Sequence, residues 1–157
     1  MSHYKNIVIV GTNNTTRSYM AEAVLKRLTE EYGLDGVKIS SRGLVVLFPE
    51  PVNPKAAQAV GNAGYKIKEF LASKLTREDL EEADLVLTIT TEEKERILAD
   101  YESYVKDISK VYTLSEFAGE KIGIPNPYGK EAEDYAACFI TVKRMCEKCF
   151  ENKILKK

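Results

Sequence analysis

The sequence predicts an α/β fold: a doubly wound, four-stranded parallel sheet with helices on both faces, in three layers. Three observations predict it. The run Ile7-Val8-Ile9-Val10 is β-branched throughout, which suits a strand covered on both faces. Apolar runs of this kind alternate along the chain with segments whose apolar residues recur at helical spacing, the pattern of a parallel sheet wrapped by helices. At 157 residues with a hydrophobic share of 44%, the chain fits one domain, residues 1–157, around a single core.

Each element has its own justification. After the first strand comes a polar loop, Gly11 to Arg17. Ser18 is placed to cap the next helix, with Ala21, Val24, Leu25, Leu28 and Tyr32 as its apolar stripe and Gly33 as its stop. Val37 to Ser41 reads as the second strand. Pro54 to Ala63 is helical in composition, and Thr76 is placed to cap a helix starting near Lys74-Leu75-Thr76-Arg77-Glu78. Asp84 to Thr90 is the third strand, followed by a charged helix from Glu92 to Asp100. Ile108 to Leu114 supplies the fourth strand. A loop with Gly119, Gly123, Pro125, Pro127 and Gly129 leads to the last helix, about Glu131 to Asn152.

Composition excludes several function classes. Lys and Arg total 23 against 24 Asp and Glu, so the net charge of -1 gives no general pull toward nucleic acid or an anionic membrane. The apolar run from Ile7 to Val10 is too short for a signal peptide or a membrane span, and the expectation is a cytoplasmic protein. Three cysteines, an odd number, argue against a disulfide scaffold. The only histidine is His3, so neither His-based catalysis nor a His-ligated metal has support, and no cofactor or metal is expected.

Ligands of such sheets sit beyond the carboxyl ends of the strands, where the loop Gly11 to Arg17 leaves the first strand. A loop there, running into a helix N-terminus, is a natural anion cradle: its N–H groups can converge and the helix dipole adds positive charge. Arg17 can add a bidentate guanidinium contact, and Asn13 and Asn14 tolerate the left-handed backbone such a nest requires. The alternative is a polar strand-to-helix loop with Arg17 solvated.

The stretch Val10-Gly11-Thr12-Asn13-Asn14-Thr15-Thr16-Arg17-Ser18-Tyr19-Met20-Ala21-Glu22 closely resembles the signature of low-molecular-weight protein-tyrosine phosphatases, roughly V-C-x-G-N-x-C-R-S-P-M-A-E. The resemblance continues at Ser41-Arg42-Gly43, where the family has S-A-G, and at Leu75 to Thr90, against L-T-x-x-D-L-x-x-A-D-L-V-L-x-M-T. It ends at Asn126-Pro127-Tyr128, where the family has D-P-[YF]. These ordered motifs span nearly the whole chain and imply that family's fold.

The departures fall on the chemistry. In the family a Cys begins the loop and its thiolate attacks phosphorus, while the loop amides and the Arg hold the phosphoryl oxygens. Here that position is Gly11, the second loop Cys is Thr16, and Tyr19 replaces a Pro. The family's general acid, an Asp, is replaced by Asn126, whose amide cannot donate and regain a proton as a carboxyl group does. By comparison with a serine protease, losing a covalent nucleophile costs on the order of 10⁶ in turnover. A lost general acid alone costs about 10²–10⁴. The hydroxyls of Thr12, Thr15, Thr16 and Ser18 have no His or carboxylate within the motif to activate them.

What the resemblance leaves is the binding half of the site. Thr12, Asn13, Asn14, Thr15, Thr16, Arg17 and Ser18 form the phosphate loop, and Tyr128 matches the aromatic wall of the family's pocket. A buried Arg17 without a partner would be costly, which favours a bound anion over a purely structural role. The expected ligand is phosphate or a phosphorylated protein or amino acid. Thr15 stands where the family's bacterial arginine-phosphatase branch carries Thr, which keeps phosphoarginine open.

Two further features have competing readings. The loop Leu44-Val45-Val46-Leu47-Phe48 is either a docking surface for a protein partner or local core tucked under the turn. Cys146-Glu147-Lys148-Cys149 has C-x-x-C spacing. Yet Tyr135, Cys138, Phe139, Val142, Met145, Cys146, Cys149 and Phe150 make one apolar stripe, and core packing is the better reading.

Overall fold

A computed structural model describes residues 4–65, 69–105 and 107–155; His3 lies outside them. Its sheet is parallel throughout, in the order β2-β1-β3-β4, from β1 (Asn6–Gly11), β2 (Lys38–Gly43), β3 (Leu85–Thr88) and β4 (Val111–Thr113). β1 is central, and all its residues from Ile7 to Gly11 are buried, as a β-branched run without polar alternation requires.

The pleat divides the core in two. Ile7, Ile9, Leu85 and Leu87 face α1 (Arg17–Glu31), α2 (Pro54–Asn62), α5 (Leu114–Ala118) and α6 (Ala132–Cys149). Val8, Val10, Val86 and Val111 face α3 (Arg77–Glu82) and α4 (Thr91–Asp100), through Leu80 and Ile97. The expected three-layer, doubly wound sheet is therefore present. The expected stripe of α6, Tyr135 to Phe150, is buried in the first of these layers, and its three cysteines are free thiols. Among the described residues no helix is long and apolar enough to cross a membrane.

Several boundaries differ from the sequence reading, each for a local reason. α1 starts at Arg17 with Thr16 as its N-cap and no capping side chain, so Ser18 is not the cap. The Ser18 hydroxyl is used elsewhere, by Asn14. Tyr32 lies beyond the helix, 48% exposed, its ring 5.0 Å from that of Phe150. β2 runs two residues further than expected, to Gly43, because Gly43 still pairs with Gly11. The fourth strand is only three residues long. Residues 108–110 form a 3₁₀ turn, and Leu114 begins α5, which the sequence reading missed. The signal was available: Thr113 and Glu116 form a reciprocal capping box. α6 ends at Cys149 and continues as a π-helical turn, Phe150–Ile154.

Past α5, Glu120 clamps the last helix, with Arg144 at 2.8 Å and Lys148 at 3.0 Å. Hydrogen bonds from Arg144 and then Lys148 push its carboxyl from an ordinary 4.5 down to about 2. A depressed folded-state pKa contributes stability that is complete above the unfolded value and lost as pH falls through the folded one. Glu120→Gln is therefore expected to lower the urea midpoint at neutral pH. The difference from wild type should shrink as pH falls from 4.5 toward about 2. Urea melts at both pH values check this, and an equal loss at every pH would refute it.

Candidate anion-binding site

The loop between β1 and α1 has several of its carbonyls engaged and its amides free. Gly11 O accepts from Leu44 N, Thr12 O from Val45 N and Thr15 O from Asn53 N, all at 2.8–3.0 Å. Among the described residues no acceptor takes the N–H of Thr12, Asn13, Asn14, Thr15 or Thr16. With α1 also lacking a side-chain cap, its first-turn amides open toward the same loop. A run of unpaired donors at a helix N-terminus is the electrostatic requirement for holding an anion.

Asn14 sets that curvature. It is the loop's residue with positive φ, at 61°, whereas Asn13 does not adopt the left-handed form. Its side chain, buried at 2% exposure, donates to Ser18 Oγ at 3.0 Å and Ser41 Oγ at 2.9 Å and accepts from Ser73 N at 2.9 Å. Ser41 donates onward to Glu22, which pairs with Lys26 at 2.7 Å. The network joins the loop to β2, α1 and the segment before α3.

Arg17 lies at the loop's end. Its Nη1 donates to the carbonyl of Ile124 at 2.5 Å, so it is not the unpartnered cation the sequence reading feared. Burial pushes its pKa down, and the nearby Glu93 carboxylate counters that shift. The contact ties the guanidinium to the segment carrying Asn126 and Tyr128. Asn126 Oδ1 accepts from Tyr128 N at 3.1 Å, which leaves the amide nitrogen of Asn126 as the free donor of that side chain. Both residues line the same pocket as residues 11–18, with Tyr128 76% exposed at its mouth.

Gly11 is buried at the pocket floor. A Cβ built there lies 3.0 Å from Ser18 Oγ and 3.2 Å from Ser18 Cβ. Thr12 is exposed on the wall, and its hydroxyl donates to Glu93 Oε2 at 2.8 Å. The sequence reading found no carboxylate within the motif beside a loop hydroxyl; the fold supplies one from α4, at 2% exposure. Thr90-x-x-Glu93 is a capping box and was legible as such, but nothing in it reveals the reach to Thr12. The carbonyl of Ile124 carried no signal at all.

The Leu44–Phe48 loop is local core at one end and exposed at the other. Leu44 is core at 6% exposure, while Leu47 at 90% and Phe48 at 61% stand out beside the pocket. The cysteines lie apart from any exposed reactive surface. Burial pushes Cys138 up to about 11, Cys149 up to about 12 and Cys146 well up, so all three are protonated thiols.

Comparison with known proteins agrees with this geometry. The family model described as low molecular weight phosphotyrosine protein phosphatase matches residues 6–157. A protein-arginine-phosphatase of Bacillus subtilis is 34% identical over 131 residues, covering 83% of this chain and 84% of the relative. The low molecular weight protein-tyrosine-phosphatase PtpB of Staphylococcus haemolyticus is 30% identical over 133 residues, covering 85% and 88%. Among solved structures, a YwlE mutant from Bacillus subtilis superposes with TM-score 0.86 at 31% identity, covering 97% and 99% of the two chains. A low molecular weight protein tyrosine phosphatase from T. tengcongensis gives 0.86 at 28% identity, covering 94% and 98%.

Gly43 is where the cradle tolerates no side chain: a Cβ would lie 2.7 Å from Val46 Cγ2 and 2.8 Å from Thr12 O. Gly43→Ala is expected to cost about 1–3 kcal/mol in chemical denaturation by overpacking. It should also weaken phosphate binding in a titration, because the displaced backbone is that of the loop. A neutral Gly43→Ala would refute the tight approach.

Proposed function

The chain belongs to the low-molecular-weight phosphotyrosine protein phosphatase family, and from that premise we infer that it binds a phosphate or phosphorylated ligand but is impaired in hydrolysing it. The observation that carries this reading is a loop whose amides and Arg17 converge on one pocket around Gly11, where the family's attacking thiol would stand. Binding needs donors and a preorganised backbone, and both are kept. Covalent hydrolysis needs a nucleophile and a proton donor, and Gly11 and Asn126 supply neither. The exposed Leu47 and Phe48 at the rim favour a phosphorylated protein as the occupant, with a regulatory rather than a metabolic role.

A second reading, an active phosphatase on phosphotyrosine or phosphoarginine without a cysteine, has one observation in its favour. Thr12 Oγ1 donates to the Glu93 carboxylate, a hydroxyl beside a base within the pocket wall.

Titration with inorganic phosphate is expected to show millimolar or tighter binding that Arg17→Ala abolishes. An aryl-phosphate assay should find the wild type at least about 10³-fold below a Gly11→Cys, Asn126→Asp variant. That variant needs Ser18 to yield by a few tenths of an ångström, since the new Cβ meets its Oγ at 3.0 Å. Phosphate release by the wild type that is lost in both Arg17→Ala and Thr12→Ala would establish the second reading instead.

A further inference from the structure

The Thr12 hydroxyl has one proton, and that proton is committed inward. It goes to Glu93 Oε2 at 2.8 Å, while Glu93 Oε1 accepts from Ile89 N at 3.0 Å and Thr90 N at 2.8 Å. Both carboxylate oxygens of Glu93 accept, and although the residue lines the pocket wall its side chain is only 2% exposed. Thr12 is exposed on that wall, and its hydroxyl can offer the pocket only lone pairs. The loop beside it is rich in donors. The amides from Thr12 to Thr16, the Arg17 guanidinium and the amide nitrogen of Asn126 are all donors. The site is therefore a donor cradle with an acceptor in its wall, beside the loop amides, that a buried carboxylate holds in place.

An oxyanion without protons meets Thr12 lone pair against lone pair; an oxyanion with one O–H donates to it. We propose that the Thr12–Glu93 pair is a specificity element, making the cradle take a protonated oxyanion over a fully deprotonated one. Inorganic phosphate keeps a P–OH at neutral pH, whereas sulfate, of similar size and shape, has no proton to give. Glu93 also sets a fixed negative charge beside Arg17, which disfavours a second full charge on the ligand. The proposal rests on the phosphate-binding reading above and narrows it. The favoured occupant is free phosphate, or the monoanion of a phosphorylated side chain, which with a second pKa of about 6 is the minor form at neutral pH.

The test is calorimetric titration of the wild type with inorganic phosphate and with sulfate, at neutral pH and matched ionic strength. Phosphate is expected to bind at least about tenfold tighter, the discrimination one buried hydrogen bond provides. In Glu93→Gln the side-chain carbonyl can still accept from Ile89 and Thr90, while its NH₂ donates to Thr12 and releases the Thr12 proton toward the pocket. Sulfate should then tighten and the preference fall to about unity. Thr12→Val, which leaves the Glu93 cap intact, should weaken phosphate and spare sulfate, and it carries the test if Glu93→Gln does not fold. Equal affinities in the wild type, or a preference unchanged in the variants, overturn this proposal alone. Binding of neither anion removes the phosphate-binding reading and the proposal with it.

Discussion

Asn14 stands in the left-handed region at φ 61°, and the rest of the site depends on its being held there. That conformation costs about 1–2 kcal/mol for a residue with a Cβ. The side chain offsets it with hydrogen bonds to Ser18, Ser41 and the amide of Ser73, each from a different segment. Because those partners are themselves fixed, by Glu22 and by the β1–β2 pairing, the loop is shaped before any ligand arrives. Preorganisation of this kind is what lets the unpaired amides keep their direction instead of collapsing onto protein acceptors.

In the proposed reading the same scaffold lets binding and reaction come apart. Most donors in the cradle are main-chain groups, and those survive any substitution that leaves the backbone path intact. Nucleophile and acid in the resembled signature are side chains, and at those positions this sequence has Gly11 and Asn126, with Gly11 still ending an unbroken β1. Arg17 is the one side chain both functions share. Its tie to the Ile124 carbonyl keeps it in place whether or not chemistry follows. Glu93 adds negative charge to the wall, so the pocket is polarised and not simply electropositive.

Much of this was legible in the sequence, for reasons that can be named. β1 was legible because a central parallel strand must be apolar on both faces, and the α6 stripe because 3.6-residue spacing survives in any helix that buries one side. The anion loop was legible through its residue types and its resemblance to a known signature. Ser18 was misread because a Ser before an apolar run has two uses, capping its own helix or serving a distant polar group, and local sequence does not distinguish them. α5 was missed because five residues leave too little periodicity, although its capping box was written out.

By itself the sequence determined the parallel α/β fold and that position 11 carries no thiol and position 126 no carboxyl, since an absent side chain is a local fact that no packing can restore. Only the tertiary structure decided that Thr12 faces Glu93, 81 residues away, and that Arg17 grips Ile124, 107 residues away. Those contacts follow from how α4 and the loop before α6 pack beyond the strand ends, and no spacing along the chain records that distance.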